Sequence, residues 1–119
     1  MQYLLIIARE DSYITEASPE QREQTTKAFM AYTKALMEAG IMLGGNALQP
    51  SSTASTVRIR DGRTQVLDGP FADTKEQLGG YYLIEAPHMD AALEWAARCP
   101  AAAFGAMEVR QIMETARPA

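Results

Sequence analysis

The chain has 119 residues, of which 47% are hydrophobic and 22% charged. That suits one domain with a core of its own, and it excludes both a disordered segment and a miniprotein held by staples. Net charge is -4, from 15 acidic and 11 basic residues with no Lys/Arg cluster, so nucleic acid is not expected as a partner.

A single cysteine, Cys99, leaves no internal disulfide and fits a reducing compartment. The apolar run at the N-terminus lacks a basic flank and a small-residue cleavage site, and it is too short to span a bilayer. The expectation is a cytoplasmic protein with no membrane partner.

Tyr3 to Ala8 is apolar at nearly every position, which predicts a central strand buried on both faces and ending in Arg9-Glu10-Asp11. A loop follows to Ala17. Ser18-Pro19-Glu20-Gln21 then combines an N-cap serine, a first-turn proline and the glutamine of a capping box. Ala28, Phe29, Tyr32, Ala35, Leu36 and Ala39 form one apolar helix face, and Gly40 supplies a left-handed stop. Ile41 to Leu48 predicts a short strand, with Gly44-Gly45 at a bulge or a close backbone approach.

Gln49 to Ser55 is small and polar. Asp61-Gly62 is the preferred pair for a two-residue hairpin turn, so Thr56–Arg60 and Arg63–Asp68 pair across it. In that register Arg60 faces Arg63, Ile59 faces Thr64 and Val57 faces Val66. Val57, Ile59, Thr64 and Val66 then share one face, with Asp68 at its end. On an apolar face, a carboxylate is costly unless it is hydrogen-bonded.

Asp68 to Tyr82 packs a turn, charged side chains, a glycine pair and two tyrosines between strands. It is too long and chemically dense for a plain connection. Gly79 to Ala86 predicts a strand. Pro87-His88-Met89-Asp90 opens a second helix with Met89, Ala92, Leu93, Ala96 and Cys99 on its apolar face. Pro100 ends it, Ala101 to Gly105 connects, and Ala106 to Met113 is the last strand. Residues 1–114 form a single domain, and Thr115 to Ala119 is a loose tail.

This order gives an α+β fold, a ferredoxin-like β-α-β-β-α-β core with an inserted β-hairpin. Both helices bury their faces on one side of the sheet. The bare side predicts a face-to-face homodimer.

Asp68-Gly69-Pro70-Phe71, Thr74 to Tyr82 and Met107-Glu108-Val109-Arg110 resemble the DGPF family of YCII-related proteins. So do Tyr3-Leu4-Leu5-Ile6, Ala47-Leu48-Gln49-Pro50 and Thr56-Val57-Arg58, and the resemblance spans nearly the whole chain. It implies a domain that pairs as a dimeric α/β barrel in a bacterial cytoplasm, and it implies little chemistry. Some relatives are similar to fusions or neighbours of extracytoplasmic-function sigma factors, which suggests a regulatory role. Many YCII-related proteins carry a helix histidine that works with an aspartate. Thr25 to Tyr32 holds no histidine here, the only one being His88, so only Asp68 carries over.

Asp68 is the candidate catalytic acid/base or ligand anchor, its more ordinary reading being a turn residue that binds the amides of Gly69 to Phe71. Arg58 offers a fork for a substrate carboxylate, Lys75 and Glu76 line a pocket mouth, and Tyr81 orients the ligand. A nearby acid for Arg58, a solvated loop or helical turn for Lys75 and Glu76, and plain packing for Tyr81 explain these four as well. His88 falls at a helix N-cap, and Cys99 reads as a buried small hydrophobe. No metal-ligand spacing exists, and neither glycine pair is a phosphate loop. Two readings therefore stand. One is a cofactor-free, isomerase-like or lyase-like small-molecule site in a homodimer. The other is a non-catalytic sensor or regulatory module.

Overall fold

The computed structural model describes residues 1–115. The expected tail, apart from Thr115, lies outside them. Strand β1 (Gln2–Arg9) occupies the middle of a four-stranded antiparallel sheet in the order β2-β5-β1-β6, with β2 at Met42–Ala47, β5 at Gln77–Glu85 and β6 at Ala106–Gln111. Helix α2 (Pro19–Glu38) carries the chain from β1 past β5 to β2. Helix α3 (Met89–Arg98) carries it from β5 past β1 to β6. This is the ferredoxin-like β-α-β-β-α-β arrangement, and the fold is α+β.

Period-two alternation sorts the sheet into two faces. Tyr3, Leu5, Ile7 and Arg9 of β1 are buried beneath the helices together with Tyr82 and Ile84 of β5. Their alternates Leu4, Ile6 and Ala8 are only half-buried. The expectation that β1 is buried on both faces is therefore corrected. Among the described residues both long helices pack on one face, and the other is left half-buried.

The ends of α2 follow from local chemistry. The Ser18 hydroxyl accepts from the Gln21 amide at 3.1 Å, and the Gln21 side-chain oxygen accepts from the Ser18 amide at 2.9 Å. Gly40 stops the helix at φ +72°. The buried stripe is narrower than the apolar pattern implies, with Tyr32 and Leu36 at its centre and Phe29 half-buried beside them. On α3 the buried residues are Ala92 and Ala96, followed by Cys99, while Leu93 is exposed. The Tyr32 hydroxyl donates to the Trp95 carbonyl at 2.7 Å and ties the two helices together.

Two short helices occupy segments expected as loops. Helix α1 (Ser12–Thr15) and helix α4 (Ala101–Phe104) are joined by Tyr13 and Phe104, whose rings stack 3.7 Å apart and 5° from parallel. A one-turn helix shows no periodicity, so the pattern is silent about both.

The hairpin of β3 (Ser55–Arg60) and β4 (Arg63–Asp68) is a separate two-stranded sheet. Its register is the expected one, from Arg60 opposite Arg63 to Val57 opposite Val66. Asp61 and Gly62 turn it with φ of +53° and +72°, the left-handed pair a type I′ turn requires. The hairpin leaves the body as an arm, and Val57, Ile59 and Val66 are all exposed. The Cα radius of gyration is 16.4 Å, against about 13–14 Å for a compact chain of this length.

Candidate functional site

The five residues singled out by the sequence are not gathered at one place. Asp68 ends β4 in solvent, and among the described residues its carboxylate makes no hydrogen bond to the amides of Gly69 to Phe71. The apolar face that would enclose it is uncovered among the described residues. The Arg58 guanidinium lies 4.9 Å from the centre of the Phe71 ring, a cation–π contact at the arm's base. Lys75 pairs with Glu10 at 3.2 Å in an exposed position. Glu76 is exposed, and its backbone carbonyl accepts from the Thr74 hydroxyl at 2.6 Å. Tyr81 accepts from the Asn46 amide at 2.9 Å. Of the five, Tyr81 alone lines the cleft described next, at the strand edge, its side chain alternating with Tyr82 to the opposite face of the sheet.

That cleft separates α2 from the β2–β5 edge of the sheet and has a volume of about 630 Å³. Phe29, Met30 and Met37 form its helix wall, and Ile7, Met42 and Tyr82 its sheet wall. Its polar groups are few and fixed. The Tyr82 and Thr33 hydroxyls lie 2.9 Å apart within it, whereas the Tyr81–Asn46 hydrogen bond lies on the opposite face of the sheet. Burial pushes the Tyr82 phenol above its usual range, an effect the Thr33 hydrogen bond partly offsets, so the group stays protonated at neutral pH. The cations on the lining are Arg9 and Lys34, and no acidic residue lines it among the described residues.

Arg9 was read in the sequence only as the charged end of a strand. It is the fourth inward position of β1 after Tyr3, Leu5 and Ile7, and it is only 7% exposed. A β-bulge makes room for it. The β1–β5 register steps from Ile7 opposite Gly80 to Ala8 opposite Leu78 and leaves Gly79 as the extra residue. A β-carbon on Gly79 would overlap Nε of Arg9 and come within 2.9 Å of its Cγ and Cζ. The second glycine serves the neighbouring strand, since a β-carbon on Gly80 would sit 2.8 Å from the Asn46 carbonyl. Three signals in the sequence bear on this site: the alternation, the glycine pair and a charge ending an apolar run. They become one only when β1 is paired with β5.

The profile of the YCII-related domain matches residues 1–116. The chain belongs to the YCII-related family. An uncharacterized protein of Rhizobium meliloti is 38% identical over 96 residues, which cover 81% of this chain and 77% of that one. Among solved structures, the 5-chloro-2-hydroxyhydroquinone dehydrochlorinase of Burkholderia phenoliruptrix, in complex with 2,5-dihydroxybenzoquinone, superposes with a TM-score of 0.55. The match covers 97% of this chain and 96% of that one at 18% identity, and it shows the fold.

In this YCII-related chain the remaining reactive residues have structural posts. His88 is the N-cap of α3, where its Nδ1 accepts from the Ala91 amide at 3.2 Å. Cys99 is buried in the core, and burial raises its thiol pKa, the opposite of what a nucleophile needs. Among the described residues no cluster of His, Cys, Asp and Glu could hold a metal ion. No helix there is long and apolar enough to cross a membrane.

Proposed function

We propose that the chain binds a small molecule in the cleft between α2 and the β2–β5 edge. The observation that carries this reading is a recess of about 630 Å³ between two layers of the fold, apolar on both walls with a few converging polar groups. Its size lies within the range of small-molecule sites. The dehydrochlorinase that shares the fold is in complex with a quinone, and this supports a small-molecule ligand here.

The finer readings divide on Asp68. One is a cofactor-free, isomerase-like or lyase-like proton transfer with Asp68 as acid/base. The other is a regulatory module that senses its ligand without converting it, in line with the resemblance to relatives associated with sigma factors. The solvent position of Asp68, outside the cleft, favours the sensor. We propose too that two chains pair through the sheet face that carries Leu4, Ile6 and Leu83, since such faces seldom stay bare.

Amide chemical-shift mapping tests the site. The ¹⁵N-labelled protein is titrated with a library of aromatic fragments that includes 2,5-dihydroxybenzoquinone. The expected shifts cluster on Gly45, Ala47 and Gly79, which line the cleft. Shifts confined to the Asp68–Leu78 segment, or absent throughout, overturn it.

A further inference from the structure

We propose that Arg9 is an oxyanion receptor at the floor of the cleft, and that the ligand is an apolar molecule carrying one carboxylate or enolate-type oxygen. This deepens the small-molecule reading and rests on it. The guanidinium is enclosed yet poorly partnered. Its Nη2 reaches the Leu48 and Gly79 carbonyls only at 3.4 and 3.5 Å, and its buried Nη1 meets no acceptor among the described residues. A buried charge without a close partner is expensive, and proteins keep such groups where they serve a ligand.

The neighbouring acids are engaged elsewhere. Asp11 accepts from the Ser51 amide at 3.2 Å and from the Ser51 hydroxyl, and Glu10 is paired with Lys75. Neither lies within ion-pair distance of Arg9. Desolvation therefore dominates at Arg9 and lowers its pKa, with Asp11 opposing only in part, and the group still remains charged at neutral pH.

The charge pattern agrees. In a chain of net charge -4, this cleft is lined by two cations and no carboxylate among the described residues. Lys34 stands at its rim, exposed and only 3.8 Å from Glu38. A planar oxyanion matches the guanidinium fork, and the apolar walls select the body that bears it. Inorganic phosphate, without such a body, fits poorly.

Matched pairs of probes test the receptor. 4-Methylbenzoate, 2-naphthoate and cyclohexanecarboxylate are each titrated against their primary amides, read at the Gly45, Ala47 and Gly79 amides and at the Arg9 Nε–H signal. The acid is expected to bind about 10- to 100-fold tighter than its amide, the range of a charge-assisted hydrogen bond. The Arg9 Nε–H signal should shift with the acid alone. Arg9→Met should abolish the preference while leaving Tm unchanged or raised.

Equal affinity within every pair overturns the receptor and leaves the small-molecule site standing. An acid preference that survives Arg9→Met overturns it too, as does a marked fall in Tm with no preference in wild type. Where Arg9→Met does not fold, the wild-type Nε–H signal decides. Probes that leave all three cleft amides unmoved overturn both readings.

Discussion

The sheet body and the hairpin arm obey the same alternation rule and meet opposite fates. In the body, Tyr3, Leu5 and Ile7 alternate into a face that two helices cover, and all three are buried. In the arm, Val57, Ile59 and Val66 alternate just as regularly, and nothing among the described residues covers them. Alternation decides which residues share a face. Whether that face is wet depends on where the helices land, which is a property of the whole fold.

The largest effect should separate the two regions by core substitution. Leu36→Ala, at a fully buried site on α2, should cost about 3 kcal/mol in urea unfolding at fixed protein concentration. Ile59→Ala in the arm should change stability by under about 0.5 kcal/mol. A comparable loss at Ile59 would mean that the arm is buried in the assembly, and the contrast would fall.

Next comes the bare side of the body. Leu83→Lys places a charge on the half-buried sheet face opposite the helices, which a monomer tolerates and a face-to-face dimer does not. Dimer affinity should weaken by about 2 kcal/mol, roughly thirtyfold, by sedimentation equilibrium. A wild type already monomeric at high concentration would sink the proposed pairing.

Alkali should act on the body. Cys99, Tyr32 and Tyr82 all have pKa values raised, above all by burial, and all lie in its core. As pH rises the unfolded chain loses these protons first, so their contribution is intact below about pH 8.5 and falls progressively above it. Each pH unit between the unfolded and folded values costs up to about 1.4 kcal/mol per group. The urea midpoint should drop from pH 8.5 to 10.5, and Tyr82→Phe should flatten its upper part.

The smallest effect is expected at Asp68→Ala, under about 0.5 kcal/mol, because the carboxylate is exposed and holds no amide. A loss near 2 kcal/mol would instead reveal a hydrogen-bonded turn residue and erase the distinction between arm and body at that point.

What the sequence made legible follows these lines. The capping box at Ser18, the stop at Gly40, the hairpin register and the N-cap at His88 all depend on contacts within a few residues, and all appear as read. The order of elements along the chain pointed to the ferredoxin-like core. The environment of Asp68 was misjudged because its alternation was right and its cover was absent. Arg9 was missed because its meaning lies on another strand, 70 residues away, at the Gly79 bulge.

That bulge binds two distant positions into one inherited unit. Any side chain gained at position 79 displaces the residue at position 9, since the β-carbon and the guanidinium claim the same space. Gly79→Ala should therefore be damaging in the native background and milder, though not harmless, once Arg9→Met is present, because methionine removes the guanidinium and keeps the γ-carbon.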